Sequence, residues 1–268
     1  LMQNPRAAHD AGFRKQELSA LTRRIIDAPI DPALLDAVAA RINSDLAGQS
    51  VFVRSSTNAE DLPNFNGAGL YHTAANVQGK AALAHAIKEV WASLWSFRAV
   101  EERRHYRIDD RAAACAILIV ASLPATAAGV LVTRNLFEPS NDHTYTINAQ
   151  RGLGLRVVDG RTTPEQVVYN LRFPATKLIS KSADTTMLVL GGAGGVKEVP
   201  VTSREAVLTH PRVRTLVGVV KKIRPLFPYD LDVEWVLQDE RFYIVQARAF
   251  LGGDVFQQQH IRPAGRRA

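Results

Sequence analysis

From Ala112 to Thr133 the chain runs 22 residues without a charged side chain (AAACAILIVASLPATAAGVLVT). A stretch of that length can cross a bilayer as a helix, so it decides first which solvent the chain folds in. Its content selects against the membrane. It is heavy in alanine, carries Pro124 near its middle, and gathers β-branched residues in two short runs, Ile117–Val120 and Val130–Thr133. Two buried strands are expected instead. The opening LMQNPRAAHD has no apolar signal-peptide core.

A chain of 268 residues suggests one large domain or two small ones, and it can bury a core without disulfide or metal support. Hydrophobic residues at 46% and charged residues at 22% exclude a disordered chain, a collagen and a coiled coil. The net charge of +7 favours anionic partners such as nucleotides, nucleic acid or acidic surfaces, without choosing among them. Cys115 is the single cysteine, so no internal disulfide can form, and a reducing, cytoplasmic location is expected.

The first third reads helical. Phe13–Ala28 is polar with apolar punctuation, and Asp31 caps a second helix with Pro32 at its first position. Gly48 ends that helix. Val51–Arg54 is a short strand opening onto a polar loop, SSTNAEDLPNFNGAG. One long helix is expected over Gly79–Arg104, with Leu83, Ile87, Val90, Trp91 and Leu94 on one stripe. The Trp91/Trp95 pair belongs to that core stripe. The mixed charges Arg98, Glu101, Glu102, Arg103, Arg104, His105 and Arg107 read as a solvated face. From Ile117 strands dominate, with candidates at Gly129–Thr133, Tyr145–Ala149, Val167–Asn170, Lys177–Ile179, Met187–Leu190 and Glu198–Val201. A helix over Ser203–Ile223 and a hairpin over Leu231–Arg248 follow. The pattern is an α/β or α+β chain in two lobes: a helical lobe over residues 1–110, a strand-rich lobe over 111–255, and a basic tail over 256–268 expected to be disordered.

Three places put polar residues where a core would not want them. The first is Arg54-Ser55-Ser56-Thr57-Asn58-Ala59-Glu60-Asp61, just after a strand, followed by Gly67-Ala68-Gly69. Amides, hydroxyls and an arginine there suit phosphate, and an ordinary connecting loop is the other reading. The second is the hairpin, where Asp232, Glu234, Gln246 and Arg248 can converge on one sheet face. Two carboxylates and an amide oxygen suit Mg²⁺, and an arginine suits the phosphate it carries; a solvent-facing salt bridge fits the pattern equally. For the opposite face to be apolar, the hairpin is expected to turn on three residues, Asp239-Glu240-Arg241, so that Glu234 faces Gln246 and Asp232 faces Arg248. The third is Arg151-Gly152-Leu153-Gly154, a weak glycine signal. The glycines Gly191, Gly192, Gly194 and Gly195 lack the Lys-Ser/Thr ending of a phosphate loop and read as a flexible turn. None of the 7 histidines has zinc-site spacing, and Cys115 reads as a buried, inert thiol.

These places resemble, in order and spacing, the nucleotide-binding domain of phosphoenolpyruvate synthase and pyruvate phosphate dikinase. The matching blocks are VFVRSSTNAEDLPNFNGAGLYHTAANV, AAGVLVTRNLFEP, GLGLRVVDGRTTPEQVVYN and DVEWVLQDERFYIVQAR, spread over roughly residues 20 to 250. The resemblance implies an ATP-grasp fold, two lobes with mixed or antiparallel sheet and a C-terminal β-hairpin. It implies phosphoryl transfer from Mg·ATP to a histidine on another segment or chain. By position, Arg54 and Ser55 would meet the ATP phosphates, and Gly69 and Thr73 would belong to the loop over them. Asp232, Glu234 and Gln246 would lie at the nucleotide, with Glu234 and Gln246 on the metal. Arg54 and Arg248 would be catalytic, Arg248 stabilising the transferring group.

The sequence also departs from the family pattern. No lysine segment precedes Arg54, Val120 stands where a glutamine is common, and Leu155 follows GLG where a glutamate is common. Leu70-Tyr71 is closer to the glucan, water dikinase branch. With no TSHAA-type histidine motif and no phosphoenolpyruvate barrel, the chain reads as a fragment or a lone nucleotide-binding module. A degenerate, non-catalytic nucleotide module is the alternative, and a glucan, water dikinase-like phosphotransferase a further one. An anion- or nucleic-acid-binding protein ranks last, because no basic stripe interleaves with aromatics. No membrane partner is expected.

Overall fold

The computed structural model describes residues 4–62, 65–67, 69–156 and 163–250. The basic tail expected over 256–268 lies outside them. The chain divides into two compact units, one of residues up to Ser122 with Leu190–Val196, the other of Leu123–Val189 and the chain from Lys197 onward.

The first unit begins with helices α1 (Pro5–His9), α2 (Ala11–Asp27) and α3 (Pro32–Asp45). Their starts follow from side-chain oxygens that satisfy otherwise orphaned amides: Asp10 accepts from Phe13 N at 2.8 Å, and Asp31 from Ala33 N at 2.8 Å, with Pro32 in the first turn. Next come β1 (Val51–Thr57), the short pair β2 (Asp61–Leu62) and β3 (Phe65–Asn66), and β4 (Thr73–Val77). Helices α4 (Lys80–Ser93) and α5 (Phe97–His105) and strand β5 (Cys115–Ala121) complete the unit's larger elements. Strand β1 lies between β4 and β5, antiparallel to both. Val51 and Val53 point from it into a core with Leu83, Ala86, Ile87 and Val90 of α4. Of the stripe read from the sequence, Leu83, Ile87 and Val90 lie in this core and Trp91 packs partly against it, while Leu94 caps the end of α4.

Two expectations for this unit need correction. The single helix over 79–104 is broken, because Ser96 caps a new one by accepting from Ala99 N at 3.2 Å. Nor is its charged run uniformly solvated. Arg103 is fully buried, donating to Asp110 Oδ1 at 2.6 Å and to the Leu94 carbonyl at 2.8 Å. Glu101 takes a two-pronged contact from Arg14 of α2, at 2.7 and 2.6 Å. Arg98 is exposed.

The second unit is built on β6 (Ala127–Val132), β7 (Thr144–Arg151), β8 (Glu165–Asn170) and β9 (Ala175–Ser180). Strands β10 (Thr186–Leu190) and β11 (Val196–Pro200) form a separate pair. Helix α6 (His210–Ile223) and strands β12 (Leu231–Gln238) and β13 (Arg241–Ala249) follow. Helix α6 starts at His210, seven residues later than expected from Ser203, because Pro211 occupies its first turn. The main sheet has the order β13-β12-β6-β7-β8-β9, with every neighbouring pair antiparallel. Leu231, Val233, Trp235, Leu237, Leu131, Ile147 and Val167 pack with Val213, Leu216, Val217 and Val220, the i, i+3, i+4, i+7 stripe of α6. Gly129 sits opposite Trp235; a Cβ there would lie 2.7 Å from the indole and 1.9 Å from the Asn148 carbonyl oxygen.

The long uncharged run is thus β5 and β6 with Pro124 between them, and among the described residues no helix is long and apolar enough to cross a membrane. β6 is almost wholly buried, whereas β5 alternates and leaves Leu118 exposed. The glycines of 191–195 are also not a free turn. Buried Asn76, held at φ 54°, donates from its amide to the carbonyls of Gly191 and Gly195, at 2.7 Å each.

Candidate functional site

The hairpin turn differs from the expected one. It has two residues, Asp239 and Glu240, at φ 48° and 59°, and Gln238 pairs with Arg241. Two left-handed residues match the strands' twist, which the mirror-image two-residue turn would oppose. Glu240 is held there by the guanidinium of Arg212, whose Nε donates to Oε2 at 2.9 Å. That turn alone would set Glu234 opposite Val245. A bulge corrects the register: Trp235 pairs with Ile244, but Glu234 pairs with Gln246, so Val245 is the extra residue. Beyond it Asp232 faces Arg248. The bulge also switches which parity of β13 meets the core. Phe242 and Ile244 pack on it before the bulge and Ala247 after it, with Phe242 edge-on to Trp235 at 5.4 Å.

The residues expected to converge therefore do so in two cross-strand pairs, reached by a different turn. Arg248 donates from Nε at 3.0 Å and from Nη2 at 2.8 Å, both to Oδ2 of Asp232. The pair is largely buried, at 14% and 6% side-chain exposure, so it is neither of the surface kind nor a free acid. Asp232 is committed to orienting the guanidinium. Glu234 and Gln246 are half-buried neighbours two pairs further along, on the same face.

Directly opposite residues in antiparallel strands share a face. The Glu234 row runs Gln246, Glu234, Val130, Asn148, Gln166 across five strands. The adjoining rows bring Thr146 level with Asp232 and Gln150 level with Val236. The face away from α6 is thus a polar floor, with Thr146, Asn148, Gln150 and Asp232 all buried. Sequence reading missed the β7 members. The signal was present: Thr144, Thr146, Asn148 and Gln150 alternate with Tyr145, Ile147 and Ala149.

A hard cation suits what Glu234 and Gln246 offer. A carboxylate and an amide oxygen stand side by side, and Mg²⁺ characteristically uses one or two carboxylates together with phosphate oxygens and water. Among the described residues no group of three or more His, Cys, Asp or Glu could cage a metal by itself.

In the first unit, Arg54 pairs with Thr73 across β1–β4, so these two share a face. Ser55 falls on the other face of β1, level with Ile117 and on the side of Val53. The strand extends three residues past the expected end, and Thr57 pairs with Cys115. Gly69 is exposed at φ 69°, a conformation glycine adopts without cost. Tyr71 ties this loop down by donating to the Ala59 carbonyl at 2.8 Å. Burial pushes the Tyr71 hydroxyl and the Cys115 thiol up from their ordinary pKa values. In the Arg151-Gly152-Leu153-Gly154 segment, Gly152 serves packing: its φ is 71°, and a Cβ there would lie 2.2 Å from the Leu188 carbonyl oxygen.

Residues 9–261 match the family described as pyruvate phosphate dikinase, AMP/ATP-binding domain. The chain belongs to that family, the ATP-binding domain of phosphoenolpyruvate synthase and pyruvate phosphate dikinase-type phosphotransferases. It is 34% identical over 241 residues to a rifampicin phosphotransferase of Streptomyces sviceus, covering 86% of this chain and 27% of that protein. It is 31% identical over 204 residues to a probable phosphoenolpyruvate synthase of Methanocaldococcus jannaschii, covering 74% and 17%. It is 29% identical over 243 residues to the phosphoenolpyruvate synthase of Escherichia coli K12, covering 84% and 31%. The chain therefore spans less than a third of the length of these relatives.

Proposed function

We propose that this chain binds Mg·ATP and is the catalytic nucleotide domain of a dikinase-type phosphotransferase. A P–O bond of ATP breaks, the remaining nucleotide leaves carrying the bridging oxygen, and a P–N bond forms to a histidine on another segment or chain, whose ring proton passes to solvent. Glu234 and Gln246 hold the cation, which screens the phosphate charges. Arg248, oriented by Asp232, faces the charge that develops on the transferring group. Arg54, Gly69 and Thr73 hold phosphate, and Ser55 contributes through its backbone. Phosphoryl transfer draws chiefly on such fixed charges and donors. The observation that carries this reading is the register that sets Glu234 beside Gln246 and Asp232 beside Arg248 on one polar face. The final acceptor belongs to segments outside this chain. The relatives' names point to rifampicin in some proteins and to phosphoenolpyruvate formation in others, and the nucleotide half is common to both.

Calorimetric titration tests the proposal. The chain should take up Mg·ATP, and Glu234→Ala should weaken uptake at least about tenfold, the scale of a lost charge-assisted contact. Equal affinities in the two proteins, or no uptake by the unaltered chain, would contradict it.

A further inference from the structure

Asn148 stands out among the buried polar side chains. It lies in the middle of β7 with 8% of its surface exposed, and its Oδ1 has no hydrogen-bond partner among the described residues. An unpaired buried amide costs stability, so its presence asks for a reason. Sheet register supplies one. Asn148 pairs with Val130, and Val130 pairs with Glu234, so the amide stands on the polar floor in the same row as Glu234 and Gln246. The intervening Val130 carries no polar atom that could pair with Oδ1. With no partner for Oδ1 among the described residues, a ligand on this face would supply one.

We propose that Asn148 is a ligand-contacting residue of the nucleotide site, its side-chain oxygen accepting a hydrogen bond from water on the cation that Glu234 and Gln246 hold. The inference rests on the nucleotide reading above and adds a residue to it. Mg²⁺ gives up its water reluctantly, so acceptors for that water beyond the direct ligands are part of its recognition. The asparagine χ2 torsion is soft enough to turn the amide toward such a water.

Asn148→Leu separates this role from a structural one, because a similar-sized apolar side chain removes the unpaired buried group. The chain should melt at the same temperature or higher. Its Mg·ATP affinity should nevertheless fall about five- to tenfold, with a higher Mg²⁺ requirement at fixed ATP. Binding of AMP, measured by calorimetry, should be unchanged. Asn148→Ala, which adds no bulk, should repeat the loss of Mg·ATP affinity should the leucine variant not fold. Unchanged Mg·ATP binding in a folded variant would overturn the inference while leaving the nucleotide reading intact. Equal losses for AMP and ATP would place the contact on the nucleoside and overturn it as well. If the unaltered chain takes up no Mg·ATP, the nucleotide reading fails and the inference with it.

Discussion

Asp232→Asn isolates what the buried pair beneath the site contributes. The substitution keeps shape and one acceptor oxygen but removes the charge that two Arg248 donors share at 3.0 and 2.8 Å. Breaking a fully buried pair by removing one partner costs about 3–5 kcal/mol. Arg248 retains 14% side-chain exposure and asparagine can still accept, so roughly 2 kcal/mol is expected here. For a unit of this size that lowers the melting temperature by about 4–8 °C. Removing both charges, in Asp232→Asn with Arg248→Gln, should recover part of the loss, because no lone charge is then left buried. The assay is a double-mutant cycle by thermal and urea unfolding, followed by Mg·ATP titration of each folded variant. The cycle should show a coupling above about 1 kcal/mol. Additive effects, with Asp232→Asn melting within a degree of the unaltered chain, would refute the argument that this acid is committed to Arg248.

Other consequences can be checked separately. Arg14 holds the Glu101 carboxyl below its ordinary value of 4.5. As pH falls past that value the unfolded chain takes up the proton first, so the contribution of this contact is full above it and lost as pH drops through the lowered folded value. Glu101→Gln should therefore flatten the acid limb of the stability profile and leave the neutral-pH ligand affinity alone. Gly129→Ala should destabilise the second unit by at least about 1–3 kcal/mol, read by urea unfolding, because its Cβ meets both Trp235 and a backbone carbonyl. Arg54→Ala should lower Mg·ATP affinity without an earlier melt, whereas exposed Arg98→Ala should change neither. The isolated chain should turn ATP over far more slowly than the roughly 1–100 s⁻¹ of an ordinary kinase, measured by phosphate release.

How far the sequence could be read depended on whether a pattern was local. The α4 stripe, the Asp31 cap and the pairing of Glu234 with Gln246 follow from spacing and from the need for one apolar face. The turn did not, because Phe242, Tyr243, Ile244 and Val245 are apolar or aromatic at both parities and hide the bulge that moves the register. Arg103 reads as surface charge beside Glu102 and Arg104, and only its long-range placement against Asp110 and Leu94 makes it core. Asn76 and the 191–195 glycines are likewise joined by contacts far apart in sequence. The polar floor on β7 was legible as alternation, but nothing local says which face of a buried strand meets a ligand.

The location of the site can be measured directly with Mn²⁺ in place of Mg²⁺. Paramagnetic broadening of amide resonances by Mn·ATP falls off steeply with distance from the ion. Amides around Glu234, Gln246 and Asn148 should broaden first, while those of Val213–Val220 in α6, on the opposite face of the same sheet, stay sharp. Broadening centred on α6, or none at concentrations that saturate nucleotide binding, would contradict it.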